Sequence, residues 1–259
     1  MIFESHAHYN DEAFDNDRDE ILSNMRSNGI EYILNIGADI DSTRKSIELS
    51  QKYPYVFAAV GVHPDEVGEL NEEKLEWLKE QCTLDKVAAV GEIGLDYYWN
   101  KSESDIQKMW FEKQMEIARD AKLPVVIHSR DAAKDTLDLM KARNAEEIGG
   151  VIHCFSYGKD MAREYVEMGF FLGIGGVVTF KNAKKLKETV EYIPLDNLLL
   201  ETDCPYLAPE PYRGKRNSSL YIPYIAREIA AIKGITEEEV VEVTNHNAKR
   251  LFFKEEISR

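Results

Sequence analysis

Short apolar runs recur from one end of the chain to the other, and most of them close on a residue that can bind cations or protons. Ile2-Phe3-Glu4-Ser5-His6-Ala7-His8, Val56-Phe57-Ala58-Ala59-Val60-Gly61-Val62-His63, Pro124-Val125-Val126-Ile127-His128 and Gly150-Val151-Ile152-His153 end in imidazoles. Val87-Ala88-Ala89-Val90-Gly91-Glu92 and Leu198-Leu199-Leu200-Glu201-Thr202-Asp203 end in carboxylates. Strands are predicted near 1–5, 31–37, 56–62, 87–93, 124–128, 149–153, 170–174 and 198–202. Between them the hydrophobic spacing is helical, over 11–28, 42–53, 72–82, 103–122, 131–143, 159–168 and 183–191. Two further helices, near 218–233 and 236–245, follow the last strand.

Eight strands, each followed by a helix, predict an α/β (β/α)8 TIM barrel formed as a single domain over residues 1–259. The length agrees, since such a barrel takes about 250 residues. An open doubly wound sheet is the competing architecture, but it gathers its ligands near one switch point. Here the candidate ligands come from strands 1, 3, 4, 5, 6 and 8, and a closed barrel brings that many strand ends around one axis. Local signals mark boundaries: Asp41-Ser42 as a helix cap, Gly29 and Gly169 as helix stops, and Pro124 at the opening of a strand.

The bulk numbers exclude some classes. No apolar run approaches the roughly 20 residues of a membrane helix, and the N-terminus lacks the layout of a signal peptide. Cys82, Cys154 and Cys204 are odd in number and scattered, which argues for a reducing compartment. The expectation is a cytoplasmic monomer. A net charge of -15 disfavours non-specific binding to duplex DNA. It remains compatible with a polyanionic substrate, because bound divalent cations reverse the local sign.

His6-Ala7-His8 at a strand end turns two imidazoles to the same side, where they can grip one metal. Glu92 would be costly in a barrel mouth unless paired or bound to a cation, and a carboxylate there can bridge two ions. His128 and His153 end consecutive strands and can share a second metal. Asp203 closes the ring back towards His6 and His8. Glu201 lies one layer deeper on the same face, as Glu4 does relative to His6. His63, fixed by Pro64, reads as a general acid, a phosphate contact or a structural histidine, with a substrate contact favoured. Arg130 at the mouth of strand 5 and Arg213, Lys215 and Arg216 after strand 8 are candidate phosphate contacts. Tyr97-Tyr98-Trp99 either stacks on a base or packs as a lid.

These residues resemble the TatD family of metal-dependent deoxyribonucleases. The resemblance lies in Ser5-His6-Ala7-His8, Gly61-Val62-His63-Pro64, Gly91-Glu92-Ile93-Gly94-Leu95-Asp96-Tyr97, His128-Ser129-Arg130, His153-Cys154-Phe155-Ser156, Leu200-Glu201-Thr202-Asp203-Cys204-Pro205-Tyr206-Leu207 and Asn247-Ala248-Lys249-Arg250-Leu251-Phe252. It implies His6, His8, Glu92, His128, His153 and Asp203 as ligands of two divalent metal ions, with Glu92 bridging. It also implies hydrolysis of single-stranded nucleic acid, often from the 3′ end. The chain departs from many relatives at Glu4, where they carry Asp. It departs again at Arg216-Asn217-Ser218-Ser219, where they read Arg-Asn-Glu-Pro.

The mechanism expected from this site is in-line displacement at phosphorus between two metals about 3.5–4 Å apart. Asp203, Glu92, His63 and Glu201 are its candidate catalytic groups. His63, Arg130, Tyr97, Arg213 and Arg216 are its candidate substrate contacts. The resemblance suggests Mg²⁺ in activity, whereas four imidazoles suit Zn²⁺, Mn²⁺, Fe²⁺ or Ni²⁺ as the bound species. The alternative is hydrolysis of another bond, as in a D-aminoacyl-tRNA deacylase or an amidohydrolase. Glu92, where a carboxylatable Lys would favour that branch, favours the nuclease branch.

Overall fold

The computed structural model describes residues 1–99 and 103–254. Eight parallel strands follow one another in chain order: β1 (Ile2–Ala7), β2 (Ile30–Ile36), β3 (Val56–Val60), β4 (Val87–Asp96), β5 (Val125–Arg130), β6 (Gly150–Ile152), β7 (Phe171–Ile174) and β8 (Leu198–Leu200). The ring closes where the segment after β8 meets β1. Ala7 bridges Cys204, the Asp203 N–H donates to the His6 carbonyl at 2.9 Å, and the Ser5 hydroxyl donates to the Leu200 carbonyl at 3.0 Å. The barrel read from the sequence is the fold observed.

Helices cover the outside: α1 (Arg18–Ser23), α2 (Ile40–Lys52), α3 (Glu72–Gln81), α4 (Ser104–Ala121), α5 (Ala133–Ala142), α6 (Lys159–Glu167) and α7 (Lys184–Tyr192). After β8 come α8 (Ile222–Lys233) and α9 (Glu237–Phe252). In α4 the buried residues Gln107, Trp110, Phe111, Gln114, Ile117 and Ala118 recur at three- and four-residue spacing, the stripe that seats a helix on a sheet. Among the described residues, no helix is long and apolar enough to cross a membrane.

Several boundaries differ from the sequence reading. The cap of α2 is Asp39, whose side chain accepts the Ser42 N–H at 2.6 Å while the Ser42 hydroxyl accepts the Asp39 N–H at 2.8 Å. The helix predicted over 11–28 is broken into α1 and two single turns. Arg18 ties α1 to the chain before it, its guanidinium donating to the carbonyls of Tyr9 (2.5 Å) and Asp11 (2.9 Å). Strand β4 runs on to Asp96. Helix α9 runs on to Phe252, past two buried asparagines that interrupt its apolar spacing. One of them, Asn247, donates to the carbonyls of Leu195 and Leu198 at 3.0 and 2.9 Å and anchors the start of β8.

Phe3, Leu34, Ala59, Val126, Val151 and Leu199 belong to one apolar cluster, closed from below by Phe252 of α9. Alternation along a strand then sets what lies above this floor. Val126 is followed two residues later by His128, Val151 by His153, and Leu199 by Glu201 and then Asp203. The dry layer thus carries the polar groups upward to the C-terminal rim, where barrel enzymes place their chemistry.

Candidate metal centre

Glu92 stands at the centre of this rim, almost fully buried, and its two oxygens face different partners. Oε2 lies 3.4 Å from His6 Nε2 and 3.9 Å from His8 Nε2. Oε1 lies 2.6 Å from His128 Nδ1 and 3.0 Å from His153 Nε2. Asp203 completes the first side, with Oδ1 at 3.6 Å from His6 Nε2 and 3.4 Å from His8 Nε2. All six residues read as ligands from the sequence are therefore brought together.

The ligand ends are held from behind. His8 Nδ1 is 3.2 Å from the Ile36 carbonyl, which fixes that nitrogen as the donor and leaves Nε2 its lone pair. His128 Nε2 is 3.0 Å from Asp96 Oδ2, and Asp96 Oδ1 in turn accepts the N–H groups of Tyr98 and Trp99. Glu201 is fully buried, accepts the Cys154 N–H at 2.6 Å, and lies 3.4 Å from His153 Nδ1. Gly173 makes room for it, since a Cβ there would come within 2.1 Å of Glu201 Oε2. Glu4 staples the barrel seam beneath His6 and Asp203. It accepts the Thr202 N–H at 2.9 Å and hydroxyl at 2.7 Å, and the His6 N–H at 3.2 Å. Asp203 itself sits in the left-handed region at φ 58, a conformation Asp tolerates better than most residues.

The donor chemistry fits divalent cations. Ligands bound at roughly 2.0–2.2 Å around one ion stand roughly 3.3 Å apart. His6 Nε2 and His8 Nε2 are 3.0 Å apart, and each lies 3.4–3.6 Å from Asp203 Oδ1. Lone pairs crowded this closely repel unless a positive charge sits among them. Without a metal, protons supply that charge. Burial disfavours a charged His153, yet the carboxylates of Glu92 and Glu201 outweigh it and hold its pKa well above the ordinary value. The same balance raises His8 and His128, against Asp203 and Asp96 respectively. Burial would raise the Glu92 pKa, but the charge on His153 and hydrogen bonds from His128, His153 and His6 hold it far below the usual carboxylate range. Divalent cations would displace these protons. Among the described residues His6 Nδ1 is buried without a hydrogen-bond partner, and His153 Nδ1 has only the 3.4 Å ion contact with Glu201.

The remaining sequence candidates are placed as follows. His63 lies closer to the ligands than a substrate contact needs: Nε2 is 3.9 Å from Glu92 Oε1, and its ring meets that of His128 edge-on at 4.2 Å. Burial, reinforced by His128, lowers its pKa to about 3, so it stands neutral; Nδ1 accepts the Asp65 N–H at 3.2 Å, which leaves Nε2 carrying the proton. Glu201 is not among the residues lining the cavity; its Oε1 lies 3.4 Å from His153 Nδ1. Arg130 does line the mouth. Tyr97 is turned away, its hydroxyl 2.8 Å from Asp135 Oδ2. Arg213 lies over the Phe180 ring, and Arg216 is paired with Asp17 at 2.5 Å, so neither lines the cavity that holds the ligands. Asp96 was given no role in the sequence reading. Its place four residues after Glu92 on one strand, hence on the same face, was the available signal.

The cavity above these groups measures about 780 Å³. Asp11, Glu12, Asp39, Asp41, Asp65 and Glu66, with Lys45 among them, make one side of its mouth mostly acidic, while Trp99 and Arg130 line it from the β4 and β5 side.

The model of the family described as TatD related DNase matches residues 3–253. The metal-dependent hydrolase YabD of Bacillus subtilis is 46% identical over 252 residues, covering 97% of this chain and 99% of that protein. The 3′-5′ ssDNA/RNA exonuclease TatD of a Rahnella species is 30% identical over 257 residues, covering 97% of this chain and 98% of that protein. Among solved structures, the TatD homologue YjjV of Escherichia coli K12 aligns with a TM-score of 0.92 at 26% identity, covering 97% of this chain and 98% of that one.

Proposed function

The chain belongs to the TatD-related family of metal-dependent hydrolases, and from that premise we propose that it hydrolyses phosphodiester bonds in DNA, taking single strands from the 3′ end and accepting RNA as well. The observation that carries the reading is the division of Glu92, with Oε2 turned to His6 and His8 and Oε1 to His128 and His153. A carboxylate so divided suits two cations, the arrangement that clamps the attacking and leaving oxygens of an in-line displacement. The Rahnella relative, named for 3′-5′ exonuclease action on single strands, supports the choice of bond and polarity.

His6, His8 and Asp203 would hold one cation and His128 and His153 the other, with Glu92 between them. When bound, such ions supply Lewis acidity towards a phosphoryl oxygen and lower the pKa of water. The protein's own groups do the rest. Asp203, reachable from the cavity with its side chain 16% exposed, orients the attacking water and takes its proton. Neutral His63, with Nδ1 accepting the Asp65 N–H, offers its Nε2–H as a phosphate contact beside Glu92. Arg130 meets negative charge at the mouth. Asp96 and Glu201 keep His128 and His153 in the ligating orientation. Mg²⁺ would support turnover, and the imidazole-rich donor set would retain Mn²⁺, Zn²⁺, Fe²⁺ or Ni²⁺.

The test offers the metal-loaded protein a single-stranded oligonucleotide carrying a label at the 5′ end and either a free or a blocked 3′ end, with D-aminoacyl-tRNA in parallel. The expected result is a ladder shortening from the free 3′ end, abolished by chelator. Deacylation without strand shortening would replace this reading with hydrolysis of another ester.

A further inference from the structure

We propose that Tyr98, Trp99 and Arg130 form a stacking shelf for a nucleobase at the rim of the metal centre. The proposal rests on the phosphodiester reading and specifies where that substrate places its base.

Three observations carry it. The first is exposure: Trp99 and Tyr98 leave 65% and 53% of their surface to solvent, directly beside a polar site. Aromatic rings left in water are poised to gain by covering. The second is geometry. The two rings meet edge-to-face with centroids 4.6 Å apart, and the Arg130 guanidinium lies 3.9 Å from the Tyr98 ring and 5.7 Å from that of Trp99. Among the described residues, no carboxylate pairs with Arg130, so its charge is available to a ligand. The third is anchorage. Asp96 Oδ1 accepts the N–H groups of Tyr98 and Trp99 at 2.8 and 3.1 Å, while its other oxygen holds His128. The shelf and a metal ligand therefore hang from one carboxylate, and their relative position is fixed.

Charge decides the occupant. Across the mouth six carboxylates outnumber Lys45 and disfavour a phosphate backbone, so a nucleotide enters over the β4–β5 side, where Arg130 stands beside Trp99. A flat ring carrying a phosphate matches a cation seated among aromatic faces. An acidic peptide would match the charge but offers no π-face at each residue. The shelf reads a ring, not a sequence, since every base presents a face to stack on.

The test compares adenosine 5′-monophosphate with ribose 5-phosphate on the metal-loaded full-length protein, by calorimetry and by tryptophan fluorescence. The expected result is about tenfold tighter binding of the base-bearing ligand, within the range that one base–aromatic stack contributes. That binding quenches Trp99. Trp99→Ala erases the tenfold preference, and Trp99→Phe, which keeps a ring, restores most of it. Equal affinity for the two ligands in the wild-type protein, or a preference that survives Trp99→Ala, overturns the shelf. These binding measurements need no turnover. Failure to shorten an oligonucleotide would defeat the phosphodiester reading while the ligand comparison still decides the shelf.

Discussion

Asp96 Oδ2 stands 3.0 Å from His128 Nε2, on the side of the ring opposite Glu92. Without a metal His128 donates from both nitrogens, Nδ1 to Glu92 and Nε2 to Asp96; a cation that takes the place of the Nδ1 proton would leave Nε2–H on Asp96 and the Nδ1 lone pair on the ion. Asp96→Asn tests this directly. The backbone N–H groups of Tyr98 and Trp99 demand an acceptor at Oδ1, so the substituted amide would turn its NH₂ towards His128 and force the opposite tautomer. Metal affinity should fall by about 10–100-fold with the fold retained, as outer partners of ligating histidines typically dictate. Metal titration by calorimetry checks it, and unchanged affinity would show that Asp96 leaves the tautomer alone.

Gly173 and Gly175 form a matched pair. A Cβ at Gly173 would approach Glu201 Oε2 within 2.1 Å, whereas one at Gly175 would rest at 3.7 Å from Glu201 Cγ, an ordinary contact. Gly173→Ala should cost about 1–3 kcal/mol by overpacking, and metal affinity should fall with it as Glu201 shifts under His153. Gly175→Ala should stay within about 0.5 kcal/mol of wild type. Denaturant unfolding of both variants decides, and equal stability would remove Glu201 packing as the reason for the glycine.

Glu4 predicts a pH effect with a definite sign. Its carboxyl titrates near 4.5 when unfolded and is raised to about 8 in the fold, chiefly by burial and against the hydrogen bonds of Thr202. Across that window the folded state holds more protons than the unfolded one, so this group's contribution to stability declines as pH rises. The stability of wild type relative to Glu4→Gln should fall between pH 4.5 and 8, by up to about 1.4 kcal/mol per pH unit. Urea unfolding of both proteins in chelator across that range reads the difference. A flat difference would mean that Glu4 is ionised in the folded protein.

Metal binding should also stabilise the fold. With Mn²⁺ at 100 times its dissociation constant, the unfolding free energy should rise by about 2.7 kcal/mol. Glu92→Gln should lose most of that gain, because it removes the group shared by both halves of the site. A thermal scan with and without chelator measures it, and an equal metal-dependent shift in the variant would take Glu92 out of the binding site.

Much of this was legible because alternation along a strand is rigid. His6-Ala7-His8 could only turn both rings one way, and a histidine two residues above Val126 or Val151 could only share that valine's face. What the sequence hid was partnership. Arg216 reads as a free cation until the fold sets Asp17 against it. Tyr97 and Tyr98 are indistinguishable until one finds Asp135 and the other finds solvent. Asp96 lies beyond the strand end predicted at 93. Gly94, at φ +149, lets β4 run on close to β5, where a Cβ would meet the His128 carbonyl at 1.9 Å. The polar interior of α9 similarly masked its last turns.

Whether two cations share Glu92 is decided by a crystal structure of the Mn²⁺-soaked protein with anomalous scattering. Two peaks are expected about 3.5–4 Å apart, one among His6, His8 and Asp203, the other beside His128 and His153, with one oxygen of Glu92 on each. A single peak, or ions bound out of reach of Glu92, would contradict this sharing.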